Sequence, residues 1–109
     1  MAIEAAEAAG DLLRRKLSRP RTVSYKGPRN LVTDADVAAQ TIILAQVRAA
    51  FPEDALLSEE DPRPADLLAP GPTWVIDPLD GTTNYARGLP CFAVSIGVVA
   101  AGQPQLGVV

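Results

Sequence analysis

Apolar and polar residues follow two periods along this chain, and the switches between them divide it into segments. Residues Ile3 to Leu17 place Ile3, Ala6, Leu13 and Leu17 near one face of a helix, with acids towards its start. Arg14, Arg15 and Lys16 fall in its last turn, where they complement the helix dipole, and Pro20 ends it. Thr22 to Asn30 contains Lys26, Gly27 and Pro28, which predicts a mobile loop. A second helix is predicted from Thr33 to Phe51. Its Ala, Ile, Leu and Val residues fall on more than one face, so it is expected to be covered on both sides. Thr33 is its N-cap, Asp36 stands where a capping-box acid belongs, and Phe51-Pro52 stops it.

Beyond Pro52 the pattern changes to short apolar runs that end in acids. Leu56 and Leu57 lead into Ser58-Glu59-Glu60-Asp61. Asp61 to Thr73 carries Pro62, Pro64, Pro70 and Pro72 and reads as a surface connection. Trp74, Val75 and Ile76 form a buried strand that runs into Asp77 and Asp80, followed at once by Gly81-Thr82-Thr83. Asn84 to Pro90 reads as a loop. Phe92 to Ala100 reads as a strand, Ala101 to Pro104 as a turn, and Gln105 to Val109 as the opening of another strand. An unpaired apolar edge at that point leads us to expect the front portion of a longer protein. Trp74, Tyr85 and Phe92 are expected in the core or at its rim, and Cys91 as a buried small hydrophobe.

Composition narrows the classes. With 109 residues, 48% of them hydrophobic and 21% charged, the chain belongs with soluble globular domains and is expected to form one of them. A net charge of −3 gives no general drive towards nucleic acid or an anionic membrane. Basic residues do concentrate between Arg14 and Arg29, but only Tyr25 offers a stacking platform there. A solvated face is the expectation and RNA binding the alternative. No apolar run approaches the roughly 20 residues of a membrane span. Cys91 is the single cysteine and no export signal is evident, so a cytoplasmic location is expected. The chain has no histidine, which excludes a Ser-His-Asp triad or an ordinary zinc site within it.

Hydrolytic chemistry here must therefore use carboxylates, hydroxyls, backbone amides and oxygen-bound metals. Asp36, Glu59, Asp77 and Asp80 all stand at element ends. Two unit charges about 4 Å apart repel by roughly 4 kcal/mol at an effective dielectric near 20, so convergence of these acids would require protons or cations. Oxygen-only ligands select Mg²⁺, Mn²⁺ or Ca²⁺. Gly81 permits close approach of backbone to a ligand, and free N–H groups at a following helix start favour phosphate. Thr82, backed by Asp36, is placed to orient a water in metal-assisted phosphomonoester hydrolysis. Each feature also has a plainer reading: Asp36 as a cap, Glu59-Glu60-Asp61 as a solvated charge run, Asp77 to Gly81 as a tight turn.

The stretch Trp74-Val-Ile-Asp-Pro-Leu-Asp-Gly-Thr-Thr-Asn-Tyr85 closely resembles the metal motif of the inositol monophosphatase family. Leu31-Val-Thr-Asp-Ala-Asp36, Phe51-Pro52 with Leu57-Ser-Glu-Glu60, and Leu89-Pro-Cys-Phe-Ala-Val-Ser-Ile-Gly97 resemble it in the same order. The resemblance implies an α+β class with a layered αβαβα fold. Residues 1–109 would be the N-terminal part of a single domain, two helices packed on a largely antiparallel sheet. It also implies a Mg²⁺-dependent, lithium-sensitive phosphatase with two or three Mg²⁺ per complete site. Glu59 and Asp77 would bind the first Mg²⁺ with help from the Leu79 carbonyl, and Asp77 and Asp80 would share the second. Gly81, Thr82 and Thr83 would hold the phosphate, Thr82 with Asp36 would activate the water, and Lys26 falls where the family often has a loop lysine.

Two positions depart from the pattern: Ser58 where the best-known members have glycine, and Gln40 where many have glutamate. The family's C-terminal half brings a further aspartate ligand and the sugar-recognising residues, so a polypeptide ending at Val109 would be incomplete and inactive. Thr83-Asn84-Tyr85 favours inositol 1-phosphate over a 3′-phosphoadenylate; fructose 1,6-bisphosphate and histidinol phosphate are the other substrates the resemblance brings. The remaining alternatives are a regulatory relative that binds RNA or the transcription machinery, and an inactive remnant. The resemblance further implies a homodimer, with no membrane partner.

Overall fold

The computed structural model describes residues 1–18, 23–27, 30–59 and 67–109. Helices α1 (Ala2–Leu17) and α2 (Asp34–Ala50) pack against each other and cover one face of a sheet. That sheet is ordered β3 (Ala55–Ser58), β4 (Pro72–Asp80), β5 (Ala93–Ala100), β6 (Gln103–Val108). The β3–β4 pair is parallel, and the other two pairs are antiparallel. A separate hairpin, β1 (Val23–Gly27) with β2 (Asn30–Thr33), leads into α2, and a short helix α3 (Thr82–Ala86) follows β4. The class is α+β, as expected, with one helical layer on a mixed sheet.

The core explains the helix faces. Ala5, Ala9 and Leu13 of α1 meet Ala35, Ala39, Ile43 and Val47 of α2, above Trp74 and Ile76 of β4 and Val94, Ile96 and Val98 of β5. These helix positions recur every three or four residues, one stripe on each helix. The expected α1 face needs correction: Ile3 is 60% exposed, and Ala2, Ala5 and Ala9 are buried in its place. Small side chains let the two helix backbones approach closely, and Ile3 would hold them apart. The expectation that α2 is covered on both sides also fails. Asp34, Val37, Thr41, Ala45 and Arg48 form an exposed face, so its stripe is one-sided.

Three further expectations change. Within the expected loop Thr22 to Asn30, Val23–Gly27 is a strand, because Val23, Ser24 and Tyr25, two of them β-prone, pair in register with Thr33, Val32 and Leu31. Asn84 to Ala86 is helical, closed by the Tyr85 N–H donating to the Gly81 carbonyl at 3.0 Å. Cys91 is exposed, because it precedes β5 in the turn after Pro90. The expected end of α1 at Pro20, and the residues from Glu60 to Asp66, lie outside the described residues.

Two turns fix the sheet's ends. Ala101 (φ 51°) and Gly102 (φ 74°) join β5 to β6, both left-handed, as a two-residue hairpin turn requires. Their N–H groups donate to the Ala69 and Leu67 carbonyls at 2.7 and 2.8 Å, which pins the approach to β4 against the hairpin tip. At the other end β4 bulges between Asp77 and Asp80, and the chain turns into α3 at Gly81. The acids stand at this second end.

Candidate active site

Asp36 occupies the first turn of α2, where Thr33 and Asp36 form a capping box. The Asp36 N–H donates to the Thr33 hydroxyl, and the Thr33 N–H donates to Asp36 Oδ1 at 2.8 Å. The Thr33 hydroxyl also donates to Asp36 Oδ1. This uses one carboxylate oxygen for the cap. The other, Oδ2, accepts from the Thr82 hydroxyl at 3.0 Å, across 46 residues of sequence. Asp36 is fully buried, so it is both a cap and the anchor of the α3 start. The plain reading of Asp36 as a cap therefore holds, and its second oxygen remains committed to Thr82.

The Thr82 hydroxyl lies within hydrogen-bond reach of two acceptors, Asp36 Oδ2 and the Leu79 carbonyl at 3.1 Å. It has one proton to donate, and its own lone pairs stay free to accept from a water or an alcohol. Gly81 before it has φ of 93°, and a Cβ there would lie 2.9 Å from the Cys91 carbonyl oxygen. Only glycine fits that backbone and that gap. The Asn84 side-chain amide donates to the same Cys91 carbonyl at 3.0 Å, tying α3 to the segment that faces Gly81. Thr83 is exposed on the first turn of α3, where helix N–H groups lack acceptors within the helix.

Glu59 and Asp77 each follow the last residues of the parallel β3–β4 pairing, Ser58 and Ile76. The Glu59 N–H donates to the Ile76 carbonyl at 3.1 Å, extending the β3–β4 ladder by one residue. Burial pushes the Asp77 carboxyl up from 3.8 to about 7. The adjoining Glu59 carboxyl, which hydrogen-bonds to it and repels its charge, adds to this, and the charge of Asp80 adds a smaller push. The Leu79 N–H, donating to Asp77 Oδ1 at 3.3 Å, works in the opposite direction. Asp80 itself is exposed at the end of β4. Glu59 and Asp77 are thus brought into contact and Asp80 only near them. Among the described residues no three carboxylates gather into a ready cation cage. Glu60 lies outside the described residues, and so does the Lys26 side chain, of which only the place in β1 is given.

This donor set suits a hard divalent cation. Two adjoining carboxylates, a third within range of their charge and the Leu79 carbonyl are all oxygen ligands. A half-buried acid held near neutrality by its neighbour is relieved by a positive charge.

Two contacts were not foreseen from sequence. The Ser58 hydroxyl donates to Gln40 Oε1 at 2.7 Å, joining β3 to α2 immediately before Glu59. The Tyr85 hydroxyl donates to the Leu13 carbonyl at 2.8 Å, and its ring meets Phe92 edge-on at 5.0 Å, so α3 is tied to α1 and β5. Both join residues far apart in sequence. The signals for them were a polar residue closing a short apolar run and a tyrosine in an acid-rich motif.

A sequence model described as the inositol monophosphatase family matches residues 1–109. The chain belongs to that family. As a member, it is 38% identical over 112 residues to inositol monophosphatase 2 of Solanum lycopersicum, covering 100% of this chain and 42% of that protein. It is 39% identical over 111 residues to the Nus factor SuhB of Escherichia coli strain K12, covering 100% of this chain and 41% of that one. The crystal structure of the extragenic suppressor protein suhB from Bartonella henselae superposes with a TM-score of 0.88 at 36% identity, over 98% of this chain and 42% of that one. This family member therefore spans well under half the length of those relatives. No helix among its described residues is long and apolar enough to cross a membrane.

Proposed function

We propose that this chain carries the metal- and phosphate-binding part of a Mg²⁺-dependent phosphomonoesterase, with inositol 1-phosphate as the first candidate substrate. On this reading residues 1–109 are the N-terminal part of one catalytic domain that works in the cytoplasm. Glu59, Asp77, Asp80 and the Leu79 carbonyl hold the cations. Bound there, a divalent ion polarises a phosphoryl oxygen and lowers the pKa of a water. The chain's own residues do the rest. Thr82 accepts a hydrogen bond from the attacking water while donating to Asp36, which orients the water's lone pair towards phosphorus. The N–H groups of Gly81, Thr82 and Thr83 receive the phosphate oxygens.

The observation that carries this reading is the Thr82–Asp36 bond beside the adjoining Glu59 and Asp77 carboxyls. A water orienter and a cation-demanding acid pair stand at one end of β4, on residues that a simple turn would not need. Family membership supports the phosphatase class. The likeness to a protein named Nus factor SuhB favours one second reading, a contact with transcription machinery. The basic residues between Arg14 and Arg29 would carry such a contact; of these, Arg14 pairs with Asp11, and Lys16 lies 3.7 Å from Asp34.

The test is phosphate release from inositol 1-phosphate by the whole polypeptide as it occurs in the cell, with Mg²⁺ and with EDTA. Release that requires Mg²⁺ and is lost in Asp77→Asn is the expected result. Equal release in EDTA, or full activity in Asp77→Asn, refutes the assignment.

A further inference from the structure

Glu59 is held by a weak strand. β3 has four residues and, among the described residues, pairs with β4 alone, at the edge of the sheet. The carboxyl it delivers both hydrogen-bonds to Asp77 and repels its charge. Backbone bonds to β4, the Glu59 N–H to the Ile76 carbonyl included, set its register from one side. The side chain of Ser58 ties it to α2. It is 3% exposed, faces away from Glu59 as successive strand residues must, and donates to Gln40 Oε1 at 2.7 Å.

Gln40 lies four residues after Asp36 on α2, so the two side chains project from one helix face about 5–6 Å apart. Asp36 holds Thr82 at the end of β4, and Gln40 holds Ser58 at the end of β3. One turn of α2 therefore spans both halves of the site. We propose that Gln40 and Ser58 are positioning residues whose hydrogen bond fixes the end of β3 and so sets the separation of Glu59 from Asp77. The proposal rests on the reading of those two acids as cation ligands.

A glycine at position 58 would offer no hydroxyl, so the tie depends on both side chains.

Mg²⁺ binding measured by calorimetry on the whole protein, without substrate, tests this together with thermal unfolding in EDTA. Ser58→Ala and Gln40→Leu are each expected to weaken Mg²⁺ binding about tenfold, the low end for groups that hold a ligand in place. The double variant should weaken it by the same factor rather than by the product, because one bond is lost in all three. Gln40→Leu alone should also lower the melting temperature, since it strands the buried Ser58 hydroxyl, whereas the double variant should recover. Gln40→Glu keeps an acceptor and should keep near-native affinity. Thr41→Ala, which removes an exposed hydroxyl bond on the same helix, is the control and should leave affinity unchanged. Native Mg²⁺ affinity in Ser58→Ala, Gln40→Leu and the double variant overturns the proposal alone. Absence of Mg²⁺ binding in the unaltered protein overturns the site assignment and the proposal with it.

Discussion

Asp77 is a carboxylate that the fold holds at a cost, and removing its charge should stabilise the metal-free protein. Its carboxyl is pushed from 3.8 to about 7 by burial and by Glu59. At 1.36 kcal/mol per pKa unit, the roughly three units between those values set a ceiling of about 4 kcal/mol. Asp77 is only half-buried, and solvent screening reduces this to about 1–2 kcal/mol. The sign follows from linkage. The unfolded chain releases this proton near 3.8 while the folded chain keeps it to about 7, so the folded state binds more protons in between. Stability should therefore fall as pH rises through that window and level off above it. Asp77→Asn removes the charge and keeps an oxygen for the Leu79 N–H. In EDTA at pH 8 the variant should melt about 5–10 °C above the unaltered protein, and its stability should lack the fall between pH 4 and 7. Saturating Mg²⁺ should reverse the order, because binding stabilises only the protein that keeps the ligand. Differential scanning calorimetry with and without Mg²⁺ reads all of this. A variant less stable in EDTA, or one that Mg²⁺ stabilises equally, refutes the reasoning.

Gly81→Ala places a Cβ in a left-handed backbone and 2.9 Å from the Cys91 carbonyl, and should destabilise by at least about 1–2 kcal/mol in urea unfolding. A loss below a few tenths would mean that the turn relaxes. Thr82→Ala should cost about 1 kcal/mol of stability and lower phosphate release by a factor of about 10²–10⁴, with Mg²⁺ binding unchanged. A Mg²⁺ affinity that falls with the rate would assign Thr82 to the cation instead. Tyr85→Phe keeps the edge-on ring contact and removes the bond to the Leu13 carbonyl, so it should lower stability by about 1 kcal/mol in the same urea assay. Unchanged stability would mean that the α3–α1 tie carries no net energy.

What could be read from sequence was local. Thr33 and Asp36 announce the start of α2 because a capping box is completed within four residues. Trp74 to Ile76 announces β4 because three β-prone apolar residues leave no other burial option. The face of α1 was misjudged because an isoleucine outweighs an alanine on any hydropathy scale, whereas close helix packing rewards the alanine. The β1–β2 hairpin was hidden by Lys26-Gly27-Pro28, whose turn character masked the short strands on either side. In the site, Asp36, Asp77 and Thr82 stood out through chemistry and resemblance. The Ser58–Gln40 bond did not, since a hydrogen bond between a strand and a helix 18 residues apart has no local signature. Neither did the bulge of β4 between Asp77 and Asp80, which is set by pairing with β5.

The two oxygens of Asp36 have a dynamic consequence. Helix ends fray, and opening the first turn of α2 withdraws Oδ1 from the Thr33 N–H. The same motion carries Oδ2 away from Thr82. Fraying of one helix turn and disengagement of the hydroxyl that would meet the water are a single event. Amide hydrogen exchange at Asp36 would report how often that hydroxyl is released. Substitutions that slow this exchange without touching the acids would hold Thr82 in place for a larger fraction of the time.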